Sequence, residues 1–379
     1  MSWLVTGTGA AAGVGRDPME LFDSLCAGRS AHAELRGFDR SRYAARYAYE
    51  IDDRPVPGAD VPGRATAWLL EAVAQAARDA GLGEDLSGVP VLVGTGLREL
   101  RSAELWWRDG TPMDAEGLHF GRALRERFGA TTVYTFANAC SASLYALAMG
   151  TDLLELGEAD TVIAAGVDVL TESMYGLVER VHPVPPDRVR PFDRDRTGAV
   201  MGDGAAAVVI RREEQGRTGN VRGRLRSVGL NCDAHHATAP DHRGIAAAIR
   251  QAHERAGVKP EDIDLVMLHG TGTLLNDEAE ATAVAEAFGP HVGGPLMTAI
   301  KSMTGHTSGA SGLIGLITAL HALDAGVVPP TPGLSHPVAE AADFRFVTGD
   351  AARADLSVAQ INAFGFGGIN AVAVVEGVR

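Results

Sequence analysis

Cys140 is the residue of this chain best placed to act as a nucleophile. It follows a β-branched run, Thr132–Phe136, and opens an apolar helical stretch through Asn138-Ala139-Cys140-Ser141-Ala142-Ser143, in which every side chain is small. Free backbone amides and the helix dipole at such a position favour thiolate over thiol, so the pKa is expected to fall from its ordinary value near 8.5. The same run also suits a small, buried and inert cysteine. Two histidine motifs shift the balance toward chemistry. His269-Gly270-Thr271-Gly272-Thr273 follows the strand-like Leu265–Leu268, which places His269 at a carboxyl end, where ligands of α/β sheets collect. Lys301-Ser302-Met303-Thr304-Gly305-His306 follows another strand and precedes a helix.

Of the 12 histidines these two lie in Gly/Thr-rich strand-to-helix turns, whereas His182, His242 and His291 are expected in ordinary polar loops. Each alone also fits a structural loop histidine. A metal site is the other functional reading, but no HxxxH or CxxC spacing supports it, so no metal is expected. Near the C-terminus, Asn362-Ala363-Phe364-Gly365-Phe366-Gly367-Gly368-Ile369-Asn370 interrupts two strands. Its glycines allow close backbone approach and supply N–H donors, and its ring suits a gate; a Gly-rich β-turn with a core Phe fits equally. With no following helix and no acidic partner, it is not a dinucleotide site.

The elements that must position these residues come in two series. Strands are expected at Trp3–Thr6, Pro90–Thr95, Thr132–Phe136, Thr161–Val167 and Ala205–Arg211, with helices at Pro18–Ala27, Ala65–Ala80, Glu116–Phe128 and Ser141–Leu156. A second series has strands at Arg224–Leu230, Leu265–His269, Leu296–Lys301, Ala359–Ala363 and Ala371–Glu376, with helices at Ile245–Ala256, Asp277–Phe288 and Gly309–Asp324. Alternating strands and helices give an α/β fold with buried sheets. The halves echo one another, because a small-residue run opens a long apolar helix at Asn138–Ser143 and again at Gly305–Gly312. The expected division is 1–215, carrying the nucleophile, and 216–379, carrying both histidines. The charged, Gly-containing stretch 211–220 is the boundary.

Composition sets the limits. With 379 residues and a hydrophobic fraction of 46%, the chain holds ample material for a deep core. Its longest apolar stretch, Gly312–Leu323, falls well short of the 18 or so residues a membrane helix needs. A net charge of −14 argues against nucleic acid and anionic membranes as partners. Three scattered cysteines and a start without a signal segment point to the reducing cytoplasm. Of the 34 basic residues only Lys259 and Lys301 are lysines, so a lysine kept beside a histidine motif is one that arginine does not replace.

Taken together, Ala139-Cys140-Ser141, His269 to Thr273, Lys301 to His306 and Gly365-Phe366-Gly367-Gly368 resemble the β-ketoacyl synthases, condensing enzymes of the thiolase superfamily. Pro191-Phe192-Asp193, Gly202-Asp203-Gly204 and Val5 to Gly9 fit as well, over nearly the whole chain. The resemblance implies two duplicated βαβαβαββ halves stacked in a five-layer αβαβα arrangement, in a homodimer or in a heterodimer with a related synthase. It implies that Cys140 accepts an acyl chain from an acyl carrier protein or CoA, and that His269 and His306 hold a malonyl-type thioester and stabilise the enolate left by decarboxylation. Two neutral Nε2–H groups suit a charge that develops in a dry site. The resemblance further implies that backbone amides of Cys140 and Phe366, beside Gly367, form a second oxyanion hole and that Phe366 gates the pocket.

By the same resemblance Lys301 tunes the field at His306, and Thr271, Thr273, Phe364, His236 and Thr238 line the substrate pocket. No cofactor is implied beyond phosphopantetheine on the carrier. An acidic enzyme meeting an acidic carrier needs local positive charge, which Arg190, Arg188 and Arg194 are expected to supply. His-Gly-Thr-Gly-Thr and Gly315 lean toward the polyketide branch, whereas Ala137-Asn138-Ala139-Cys140, Ile369 and the segment Leu100–Gly117 with Trp106 and Trp107 depart from it. A free-standing enzyme of fatty acid or specialised metabolism is the expectation. The competing readings are an acyltransferase or cyclase that uses Cys140 without decarboxylation, and a chain-length-type heterodimer partner.

Overall fold

The computed structural model describes residues 2–54, 58–181, 184–212 and 220–378, so the expected 215/216 boundary lies outside the described residues. The first half runs β1 (Trp3–Ala12), α1 (Pro18–Cys26), β2 (His32–Glu34), β3 (Tyr47–Tyr49), α2 (Arg64–Asp79), β4 (Val91–Gly94), α3 (Leu100–Asp109), α4 (Gly121–Phe128), β5 (Val133–Phe136), α5 (Ala142–Glu155), β6 (Thr161–Asp168), α6 (Glu172–Val181) and β7 (Gly204–Arg212). The second runs β8 (Gly223–Cys232), α7 (His242–Ala256), β9 (Leu265–Met267), α8 (Leu274–Phe288), β10 (Leu296–Thr298), α9 (Lys301–Thr304), α10 (Ser311–Ala325), β11 (Val327–Val328), β12 (Arg345–Phe346), β13 (Ala352–Arg353), β14 (Val358–Gly365) and β15 (Ile369–Glu376).

The strand order β12-β10-β9-β14-β15-β8-β1-β7-β6-β4-β5 is two arms meeting at β1 and β8. The junction is short and antiparallel, pairing Trp3 with Leu225, Leu4 with Arg224 and Val5 with Gly223. Outward from it, β1-β7-β6 and β8-β15-β14 are antiparallel, and β6-β4-β5 and β14-β9-β10 are parallel. The arms therefore repeat one topology, and the duplication read from the sequence is present in the fold.

Helices α5 and α10 lie between the arms, α2 covers the outer face of the first arm, and α7 with α8 covers the second. Strand alternation assigns neighbours to opposite layers: Val208 and Val375 join Leu144, Leu147, Leu313 and Ile317 in the middle, whereas Val209 packs with Leu69 and Val73 and Val374 with Ile245 and Ile249. With helices on both faces, the strands read as continuous apolar runs. Helix α10 is apolar all round because it is the middle layer, and none of the described helices is long and apolar enough to cross a membrane.

Several elements differ from expectation for local reasons. β1 extends to Ala12 because Gly7 and Gly9 let α2 approach: a Cβ there would lie 2.2 Å from the Ala76 carbonyl oxygen and 2.0 Å from that of Ala72. β10 ends at Thr298, and Lys301 opens the short helix α9 instead of closing a strand. Helix α4 begins at Gly121, since Asp114 caps a separate turn over Ala115–Leu118. Helices α3 and α6, which carry few buried residues, were not expected from the sequence. Trp106 and Trp107 of α3 are exposed.

Candidate active site

Cys140 sits in a single tight turn, Ala139–Ser141, that leads from β5 into α5. Ala139 is held at φ +50°, a left-handed conformation that costs an L-residue about 1 kcal/mol, and its surroundings enforce it. Ser141 Oγ donates to the Asn138 carbonyl at 3.0 Å. The end of β14 lies against the turn, so that a Cβ on Gly365 would come within 3.3 Å of both Ala139 and Asn138. Ser311, at the start of α10, donates to the Cys140 carbonyl at 3.3 Å and to the Ser308 carbonyl at 2.8 Å, tying the two central helices together at the nucleophile.

The sulfur lies 3.0 Å from Nε2 of His306. His306 is fixed by its backbone, whose N–H donates to the Val200 carbonyl at 2.8 Å while its own carbonyl accepts from Gly202 at 3.1 Å. The Ser308 N–H donates to His306 Nδ1 at 3.3 Å, which assigns the ring proton to Nε2. His269 stands nearly perpendicular to His306, with ring centroids 5.5 Å apart, and Phe364 packs against its other side at 5.6 Å. Lys301 Nζ lies 3.3 Å from His269 Nδ1 and also donates to the His269 carbonyl. This network assigns the His269 proton to Nε2 as well. Both rings are thus assigned Nε2–H donors.

Burial and the Lys301 charge hold both imidazoles neutral, His306 down at about 3 and His269 well below its ordinary value. Burial lowers Lys301 to about 8, opposed mainly by the Glu280 charge. The expected thiolate is corrected. Burial pushes the Cys140 thiol up to about 12, and the Lys301 charge pulls the other way without overcoming it. Cys140 is half-buried at the joint with the second half, and desolvation there outweighs the pull of the Lys301 charge, which favours the thiol at rest.

Two buried carboxylates that sequence reasoning missed organise the His269 turn. Glu280 accepts the N–H groups of His269 at 2.7 Å and Gly270 at 2.8 Å. Asp277 accepts those of Thr271 at 3.1 Å, Gly272 at 3.1 Å and Phe192 at 2.7 Å. Burial raises both, Glu280 to about 7. Their signal was available: Asp277 and Glu280 lie three apart on α8, directly after His-Gly-Thr-Gly-Thr. A third, Asp168, ends β6 and accepts from Thr95 Oγ1 at 2.8 Å and from the N–H groups of Gly96 at 2.7 Å, Leu97 at 2.8 Å and Gly309 at 2.6 Å.

Thr271 and Thr273 share a hydroxyl contact at 2.9 Å, and Thr273 also caps α8. Phe366, 54% exposed, stands on the β14–β15 turn beside Gly367 and Gly368, both at positive φ. The Gly367 N–H donates to the Ala237 carbonyl at 2.9 Å, and the Asp233 N–H to the Gly368 carbonyl at 3.0 Å, which joins this turn to the Asp233–Thr238 loop. His236 and Thr238 are exposed there and close the loop on itself: His236 Nδ1 accepts from Thr238 N–H at 3.1 Å. Arg188 and Arg194 are exposed, but Arg190 is forked onto Asp187 at 2.7 and 2.8 Å, so most of its charge is locally matched. Among the described residues no group of three or more His, Cys, Asp or Glu side chains is arranged to hold a metal ion.

Residues 4–216 match the β-ketoacyl synthase N-terminal domain and residues 222–335 the β-ketoacyl synthase C-terminal domain. The chain belongs to the β-ketoacyl synthase family. It is 30% identical to Nodulation protein E of Rhizobium meliloti, over 97% of both chains. It is likewise 30% identical to 3-oxoacyl-(acyl-carrier-protein) synthase 2 of Synechocystis, over 97% of this chain and 96% of the relative. Among solved structures, the ishigamide ketosynthase/chain length factor superposes with a TM-score of 0.90 at 31% identity, over 100% of this chain and 99% of the other. The fold is that of the thiolase-type ketosynthases and the enzyme is an acyltransferase of the ketosynthase class. Its relatives include both 3-oxoacyl synthases and a putative polyketide β-ketoacyl synthase of Streptomyces halstedii, 31% identical over 99% of this chain and 97% of the relative.

Proposed function

We propose that Cys140 carries the acyl group and that His269 and His306 stabilise the enolate with which it condenses. The observation that carries this reading is the Cys140 sulfur 3.0 Å from His306 Nε2, with the His269 ring perpendicular at 5.5 Å, both imidazoles neutral. Cys140 attacks the acyl thioester, helped by the His306 Nε2–H as negative charge builds on sulfur. Its proton leaves with the departing carrier thiol. A malonyl-type thioester then places its carbonyl oxygen between the two Nε2–H groups. Loss of carbon dioxide leaves an enolate that these donors stabilise, and its carbon attacks the Cys140 thioester. The new C–C bond gives a β-ketoacyl thioester, and the thiolate of Cys140 is released and reprotonated.

In this reading the half 1–215 supplies the nucleophile and the half 216–379 the histidines. The backbone amides of Cys140 and Phe366 bind the oxyanion of the acyl thioester. Nothing is required beyond the chain's own residues and the phosphopantetheine of an acyl carrier protein, which meets the exposed Arg188 and Arg194. Three free cysteines support a cytoplasmic setting. A homodimer pairs the free edge of β5, where Tyr134 is exposed, with a second copy. Native mass spectrometry tests that assembly, and a related synthase in place of the second copy is its alternative outcome.

The deciding experiment is intact-protein mass spectrometry of wild type and Cys140→Ala with malonyl-carrier and a panel of acyl thioesters, with carbon dioxide followed in parallel. Acylation lost in the variant, together with carbon dioxide release by wild type, is the expected result. Acylation without decarboxylation would assign a plain acyltransferase or cyclase instead.

A further inference from the structure

The outer layer between the second arm and α7 and α8 is apolar, packed by Ile245, Ile249, Val284, Val372 and Val374. A file of buried polar side chains crosses it. His253 Nε2 lies 2.6 Å from Gln360 Oε1, Gln360 Nε2 donates to Asn362 Oδ1 at 2.8 Å, and Asn362 Nδ2 donates to Glu280 Oε1 at 3.0 Å. Glu280 in turn holds the backbone of His269 and Gly270. Gln360 and Glu280 are fully buried, Asn362 is 4% exposed and His253 5% exposed. Gln360, Asn362 and Phe364 alternate along β14 and so share the face toward this layer.

Placing such groups in a hydrocarbon-like layer is unfavourable unless every link is made, and apolar residues of like volume fill the same space without that cost. The file also has a direction. Each amide oxygen accepts from the residue behind it and each N–H points forward, so the line ends as a donor on the Glu280 carboxylate.

We propose that His253 and Gln360 are positioning residues for the condensation: through Asn362 they aim an N–H at Glu280, keep it an ionised acceptor, and so hold the His269 turn in register. Without Gln360 the Asn362 amide is free to present its oxygen, which favours a protonated Glu280 and loosens the turn. The described ionisable groups facing Glu280 are Asp277 on its own helix, Lys301 from α9 and His269 from the turn, with Arg196 reaching Asp277 at 3.9 Å and His253 at the far end of the line. The role in condensation rests on the proposed function above; the effect on Glu280 does not.

The test is a pH titration by infrared difference spectroscopy of the substrate-free enzyme, reading the protonated-carboxyl band that Glu280→Gln lacks. The acid limb of carbon dioxide release from malonyl-carrier is measured in parallel. In Gln360→Leu the Glu280 midpoint is expected to rise by about one pH unit, with the acid limb moving alongside it. His253→Leu moves both the same way by less, and His253→Gln, which keeps an N–H donor, restores them. An unmoved midpoint in folded Gln360→Leu overturns the proposal. If that variant does not fold, identical midpoints in His253→Leu and His253→Gln overturn it. If no enzyme releases carbon dioxide the proposed function fails, while the infrared midpoints still decide the role of the file.

Discussion

The turn that opens α5 and the turn that opens α10 are built alike and used differently. Each begins with a non-glycine residue at positive φ, Ala139 at +50° and Ser308 at +46°, runs through one tight turn and enters a helix of the middle layer. The second position is Cys140 in the first turn and Gly309 in the other. Cys140 projects its sulfur to the joint between the halves. Gly309 has no room for a side chain: a Cβ there would lie 2.6 Å from Thr95 Cα, 2.8 Å from Asp168 Oδ2 and 2.9 Å from the Gly96 nitrogen. Its N–H donates to Asp168 instead. One duplicated backbone device thus delivers chemistry in one half and anchorage in the other, and the anchoring half brings His306 to the sulfur.

Alanine at the two positions separates these uses most sharply. Cys140→Ala is expected to abolish self-acylation, a loss of at least about a thousandfold, with an unchanged melting temperature; mass spectrometry and calorimetry check both halves of the statement. Gly309→Ala is expected to lower stability by about 3 kcal/mol, read by urea denaturation, because the new methyl meets backbone and a buried carboxylate. If it were neutral, the two turns would not differ as described.

Lys301 sharpens the same contrast from the histidine side. Burial lowers it from its ordinary 10.5 to about 8, so it carries its charge below that pH and loses it above. Condensation is therefore expected to fall as pH rises through about 8. Lys301→Arg, which does not titrate there, should lose that limb along with about tenfold to a hundredfold of activity, because the larger group displaces His269. Stopped-flow assays across pH distinguish this from a general loss. The smallest effect is expected far from either turn: Arg188→Glu and Arg194→Glu should each raise KM for a carrier-bound substrate about threefold at low salt and leave CoA substrates unaffected. Arg190→Glu should act mainly by unpairing Asp187, an effect expected to vanish when Asp187→Ala is already in place.

Much of this was legible in the chain, for reasons that can be named. Strand and helix positions followed from apolar runs and hydrophobic period, and segments that bury few apolar residues, such as α3 and α6, escaped. The candidate reactive side chains stood out because Cys140, His269, Lys301 and His306 lie in runs of mostly small residues, and the fold brings them together. Glu280 and Asp277 were passed over because a carboxylate on a helix normally faces water, although their spacing just after the His269 motif was a signal that these two turn inward.

The sequence by itself determined the residue types and the order in which the strands deliver them, since period and side-chain size act within a few residues. Protonation and partnership were decided only by the tertiary structure. The neutral thiol at Cys140, the Nε2–H tautomers of both histidines, the pairing of Arg190 with Asp187 and the file from His253 to Glu280 depend on burial and on groups distant in sequence. Desolvation and charge act through space, and their balance at a site exists only once the halves have closed over it.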